Sequence, residues 1–143
     1  MVLETAIVCL ALNIYWEARN QSVLGKIAVA QTTMNRVYDA RYPDDVCSVV
    51  YQGQKYSWKP YNMVRNKCQF SWYCDGKSDE PKNKDAWESS LRIADGVYNS
   101  KIYDIVDGAT HYHAYYILPS WSASKTRITR IDDHIFYRWE SRQ

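Results

Sequence analysis

Glycine is scarce in this chain, with five in 143 residues. None falls in a GxGxxG or GxxxxGK arrangement, so a phosphate loop built on bare backbone N–H groups is excluded. A basic excess is also missing. The formal net charge is +2 with histidines neutral, which argues against a dedicated nucleic-acid binder. The apolar run TAIVCLALNI (5–14) is well short of the roughly 20 residues a membrane span needs. It does not fit a signal peptide either, because Glu4 stands where a basic region belongs and no small-residue cleavage site follows. It reads as a buried helix, with no membrane insertion and no export signal expected in the chain. The four cysteines, Cys9, Cys47, Cys68 and Cys74, form no CxxC pair, which leaves a zinc site poorly supported.

Phenylalanine is nearly absent at two residues, against 13 Tyr and 6 Trp. Tyr and Trp are the aromatics with a polar handle. They can stack on the apolar face of a sugar and bond its hydroxyl rim, or simply fill a small core. Length and an ordinary hydrophobic fraction of 46% predict one folded domain over residues 1–143. Cysteine use hints at an oxidising destination. Cys68 and Cys74 flank a short apolar turn that a bridge could staple, while Cys9 inside an apolar helix reads as a small hydrophobe. Four cysteines allow three pairings, and spacing does not choose among them.

The spacing of Leu3, Ile7, Leu10, Ile14 and Ala18 predicts a helix over 3–19. With Val8, Cys9 and Leu12 also apolar, that helix belongs in the middle of a domain. Ser22 is a candidate N-cap for a second helix over 23–39, with Leu24, Ile27, Gln31, Met34 and Tyr38 on one face. Pro43-Asp44 opens a short helix through Val50. Residues 52–67 read as a loop and Gln69–Tyr73 as a short strand, ended by a turn at Asp75-Gly76. KSDEPKNK (77–84) is a solvated loop. A helix follows over 85–99, with Trp87, Leu91, Ala94 and Tyr98 on one face. Asp107-Gly108 is a turn, and strands are expected over 110–117 and 134–139. The sum is an α+β domain, mainly helical with a few short strands.

Glu17 is the sharpest residue. Helical spacing puts it about 40° from the line through Leu3, within the apolar stripe. A carboxyl group at the C-terminal end of a buried helix is disfavoured as an anion by burial and by the helix dipole. Its pKa should rise, as a general acid at neutral pH requires. The plainer alternative is a Glu paired with Arg19. His111, His113 and His134 form a second constellation. His111 and His113 share a strand face and could join His134 around zinc, but the favoured reading is hydrogen-bonding residues in a groove or core, with no metal and no cofactor.

Several stretches together make the chain resemble the SleB-like cell wall hydrolases, the spore-cortex-lytic group. They are ALNIYWEARNQSVLGKIAVAQTTMNRV (11–37), YPDDVCSVVYQ (42–52), CQFSWYCDG (68–76), AWESSLRIADGVY (86–98), GATHYHAYYILPSW (108–121) and HIFYR (134–138). The resemblance implies a lysozyme-like fold and cleavage of peptidoglycan glycan strands between N-acetylmuramic acid and N-acetylglucosamine. It implies Glu17 as the catalytic acid and a groove with Gln69, Phe70, Ser71, Trp72, Tyr112 and His113. Trp16 departs from the family, whose members often carry His at that position.

The expected reaction is that of a lytic transglycosylase acting as a monomer at the bacterial wall, with one carboxyl group serving as acid and then base. A short catalytic domain of this kind would also suit a phage endolysin released by a holin, or a trimmed bacterial hydrolase. A hydrolase would need a second carboxylate, for which Asp75, Asp107, Asp132 and Asp133 are available. A zinc amidase using the three histidines and a non-catalytic wall-binding module are the other readings.

Overall fold

The computed structural model describes residues 5–58 and 62–140. Helix α1 runs Ala6–Ala18, opened by Thr5, whose side chain accepts from the Val8 N–H. Helix α2 runs Val23–Val37 behind the expected cap Ser22, whose Oγ accepts from the Gly25 N–H at 3.2 Å. Helix α3, Val46–Val50, starts later than Pro43-Asp44 suggests because Asp45 supplies the cap. Helix α4, Lys84–Tyr98, is capped by Asn83. Its buried side is Ser90, Ala94 and Val97, with Trp87 and Leu91 packed beside them, while Tyr98 turns outward.

The segment 52–67 is not the loop its composition suggests. It holds β1 (Gly53–Lys55) and most of β2 (Met63–Cys68), paired antiparallel. Most positions of this ribbon are exposed, so no apolar alternation marked it. Gln69–Tyr73 is likewise not a strand. Gln69 adds one more ladder bond, to the Gln52 carbonyl at 2.8 Å, and Ser71–Cys74 then coils into a 3-10 turn. The second sheet is antiparallel in the order β3 (His111–Ala114), β5 (His134–Arg138), β4 (Thr126–Ile131). β4 was hidden because TRITRI repeats every three residues, and its register shifts between Arg127 and Thr129. β3 is shorter than expected because the chain turns back after Ala114, with the Ile117 N–H on the Ala114 carbonyl.

Two apolar clusters hold these layers. One packs Leu10, Ile14, Ile27, Met34, Val50, Phe70, Trp72, Ala94 and Val97 between the helices. The other, Ala18, Ala28, Val29, Val106, Ala109 and Phe136, joins helices to sheet. Tyr112 lies against both. Helix α2 is buried nearly all round, including Thr32, Thr33 and Arg36. Helix α1 is as deeply set as its pattern predicts, with no exposed position over Ala6–Ala18, and α2 packs beside it.

All four cysteines are bridged. Cys68–Cys74 closes the expected staple, with Cα atoms 6.1 Å apart. Cys9 is not a free hydrophobe: it bonds Cys47, tying α1 to α3 with Cα atoms 5.2 Å apart. Residue separation alone could not pair positions that become neighbours only when the two helices pack.

Candidate active site

Glu17 stands on the last turn of α1, one turn after Asn13. The Tyr112 phenol, reaching from β3, donates to Glu17 Oε1 at 2.9 Å. Some of the residue's surface stays open, but the carboxyl is sheltered. Burial raises its pKa above the ordinary 4.5, against the hydrogen bond from Tyr112 and the charge of Arg36, which both lower it. Tyr112 is partly buried with its hydroxyl turned inward, and its phenol pKa is pushed well above 10, chiefly by desolvation and then by Glu17. Tyr112 therefore keeps its proton and acts as the donor. The site joins an acid whose protonated form is favoured to a fixed donor that steadies its ionised form.

Asn13 supports this pair from one turn below. Its Nδ2 donates to Thr33 Oγ1 at 3.3 Å, and its Oδ1 accepts the Trp72 indole N–H at 2.9 Å. Trp72 is thus buried, fixing the Ser71–Cys74 turn to the floor of α1. Phe70 is buried as well, its ring stacked on Tyr112 with centroids 6.5 Å apart. Gln69 and Ser71 are exposed on the same segment. Of the expected groove residues, Phe70 therefore packs on Tyr112 and Trp72 on the helix turn below Glu17, while Gln69 and Ser71 face outward on the same segment.

His113 is not brought to Glu17. In the β3–β5 register, Tyr112 pairs with Phe136 and Ala114 with His134, while His111 pairs with Tyr137 and His113 with Ile135. Side chains alternate across a sheet, so Tyr112 and His134 share the helix-facing side, and His111 and His113 the other. There His113 Nε2 meets the Tyr137 hydroxyl at 2.8 Å, under the Trp121 ring. His111 meets Thr110 Oγ1 at 2.9 Å. Its pKa falls to about 4, through burial first and the nearby cations Arg36, Lys125 and Arg41 second. The three imidazoles lie on two faces of one sheet, which does not suit a shared zinc ion.

Glu17 is not paired with Arg19, whose guanidinium sits 5.0 Å from the ring centres of both Tyr15 and Trp16. The cation that matters is Arg36 of α2, which the sequence did not single out. Val29, Thr32, Thr33 and Arg36 form a second i, i+3, i+4, i+7 stripe on α2, the one signal that could have exposed it. Trp16 acts locally. Its indole N–H donates to the Asp79 carbonyl at 2.9 Å, pinning the 77–84 loop against α1. The four other acids have their bonds elsewhere. Asp132 holds Ser22, Asp133 accepts from Gln21, Asp107 pairs with Arg138, and Asp75 accepts from the Lys77 N–H. A cavity of about 930 Å³ is lined by Tyr38, Arg41 and Trp139 among others, and Glu17 is not part of its wall.

Known proteins share this arrangement of chain. The catalytic domain of the germination-specific lytic transglycosylase SleB from Bacillus anthracis superposes with a TM-score of 0.68 at 24% identity, over 96% of this chain and 97% of that one. The catalytic domain of the Bacillus cereus SleB protein gives 0.58 at 21% identity, over 96% and 93%. At these identities the likeness is one of fold. A spore cortex-lytic enzyme of Halalkalibacterium halodurans is 28% identical over 128 residues. The match takes in 89% of this chain and 33% of that protein, so the chain spans about a third of its relative's length. A family model described as Cell Wall Hydrolase matches residues 20–137. That range holds Tyr112 and the 69–72 segment and begins just after Glu17. With most of its length matched, the chain belongs to the cell wall hydrolase family.

Proposed function

We propose that the protein cleaves peptidoglycan glycan strands between N-acetylmuramic acid and N-acetylglucosamine as a lytic transglycosylase, with Glu17 as acid and then base. The observation that carries this reading is the sheltered carboxyl of Glu17, held by Tyr112. The activities for which its structural neighbour and its spore cortex-lytic relative are named agree with it.

The chemistry needs one enzymic carboxyl. Tyr112 occupies Oε1, so the acidic proton sits on Oε2. Protonated Glu17 gives that proton to the glycosidic oxygen as its bond to the muramic acid C1 breaks. The C6 hydroxyl oxygen of the same sugar bonds to C1, and its proton returns to Glu17. The products are a free 4-hydroxyl and a 1,6-anhydro ring, with no water consumed. Gln69 and Ser71, exposed on the segment that carries Phe70, are assigned to the acetamido and hydroxyl groups of the strand. Phe70 and Trp72 shape the floor beneath them.

Product analysis by mass spectrometry of digested sacculi tests the proposal. Anhydro-muropeptides from the wild type and none from Glu17→Gln are expected. Reducing-end muramic acid would replace the transglycosylase with a hydrolase. Full activity of Glu17→Gln would remove Glu17 from the chemistry.

A further inference from the structure

Arg36 is 2% exposed, an uncommon place for a group that stays charged at every working pH. Its Nε donates to the Thr110 carbonyl at 2.6 Å. Its guanidinium carbon lies 5.1 Å from the Tyr42 ring centre and 5.4 Å from that of Phe70. Phe70 stacks on Tyr112, and Tyr112 reaches Glu17. Nη1 is buried and meets no hydrogen-bond acceptor among the described residues. An orphaned donor on a buried cation is costly, and a role confined to anchoring Thr110 leaves that cost unexplained.

We propose that Arg36 is a positioning residue for Glu17: fixed by Thr110, Tyr42 and Phe70, it supplies the counter-charge for the carboxylate that exists between the two proton transfers. The inference rests on Glu17 acting as acid and base. The glycosidic oxygen takes the proton in the first transfer, and Glu17 is left negative in a sheltered place. A preorganised cation steadies that charge without having to move. The other groups around Glu17 do not duplicate it. Tyr112 on β3 gives a neutral hydrogen bond. His134 on β5 packs against the Tyr112 ring at 5.0 Å, with its pKa lowered by burial. Arg19 at the end of α1 is spent on Tyr15 and Trp16. Arg36 works beside the Tyr112 hydrogen bond, the charge and the bond both opposing the rise that burial gives the Glu17 pKa.

The test is the pH profile of sacculus clearing for wild type, Arg36→Gln and Arg36→Lys, with Glu17→Gln as control. For Arg36→Gln, the alkaline limb should move up by about one pH unit. Turnover at the optimum should fall by about tenfold or more, with little change in KM. Arg36→Lys should return most of the limb shift. A folded Arg36→Gln with its limb at the wild-type position overturns the inference while leaving Glu17 in its role. An active Glu17→Gln would instead overturn the reading beneath it. Should Arg36→Gln not fold, a double-mutant cycle of Arg36→Met, an apolar side chain of similar reach, with Glu17→Gln decides by thermal melting. Coupling present at pH 9 and absent at pH 4, where Glu17 is neutral, supports the counter-charge. Equal coupling at both overturns it.

Discussion

The Tyr112 phenol and the Glu17 carboxyl meet across 2.9 Å, joining the end of α1 to β3. The pair is 95 residues apart in the chain, so the site exists only when helix and sheet are docked. In the proposed mechanism the same bond leaves Oε2 free to carry the proton.

Removing that donor changes both the acid and its orientation. Tyr112→Phe should raise the Glu17 pKa further, since the hydrogen bond lowers it. Activity at neutral pH should fall by roughly 10²-fold, and the alkaline limb of the rate profile should move upward. An unshifted limb would show that Tyr112 acts on packing alone.

Glu17 itself should weaken the fold as pH rises. Its folded pKa is above the ordinary value. The stability it contributes is fully present below about 4.5 and is lost as pH climbs through the raised folded value. Because Glu17 is the proposed acid, Glu17→Gln should clear sacculi at least about 10³-fold more slowly. It should also gain melting temperature over the wild type at pH 8 relative to pH 4. A constant difference across that range would argue against a sheltered carboxyl.

His111 predicts the opposite slope on the acid side. Its folded pKa of about 4 is below the unfolded 6.5. The unfolded chain gains a proton first, so stability present above pH 6.5 is lost as pH falls toward about 4. The lowered pKa of His134 acts in the same direction. His111→Gln should flatten the melting temperature between pH 6.5 and 4.5. An equally steep decline in that variant would place the acid sensitivity elsewhere.

The two disulfides should differ in weight. Cys9–Cys47 closes a separation of 38 residues and Cys68–Cys74 one of 6. Chain entropy assigns them about 4 and about 2 kcal/mol. Paired Cys→Ala variants should show the larger loss for Cys9–Cys47 in denaturant melts. Activity should suffer more from the smaller loop, because Cys68–Cys74 brackets Gln69, Phe70, Ser71 and Trp72.

Gly25 is needed for close approach rather than for its backbone angle. A Cβ there would lie 2.6 Å from Asp132 Oδ2 and 2.9 Å from the Gln21 Cβ. Asp132 Oδ2 also accepts from the Ser22 N–H at 2.8 Å, tying the β4–β5 turn to the start of α2. Gly25→Ala should cost about 1–3 kcal/mol, measured by urea unfolding. A neutral result would mean that the turn moves freely.

Local pattern made much of this molecule legible. The apolar stripe of α1, the Ser22 cap, the mainly helical α+β class and the place of Glu17 at the end of a buried helix all follow from residues within one or two turns of each other. The β1–β2 ribbon and β4 were illegible because neither carries the alternation that one-sided burial imposes. The Cys9–Cys47 bridge, the separation of His113 from Tyr112, and the chain of contacts from Arg36 through Phe70 and Tyr112 to Glu17 were decided by tertiary structure alone. Sheet register sets which face a side chain takes, and helix packing sets which distant residues touch. Neither is written in the spacing of a single segment.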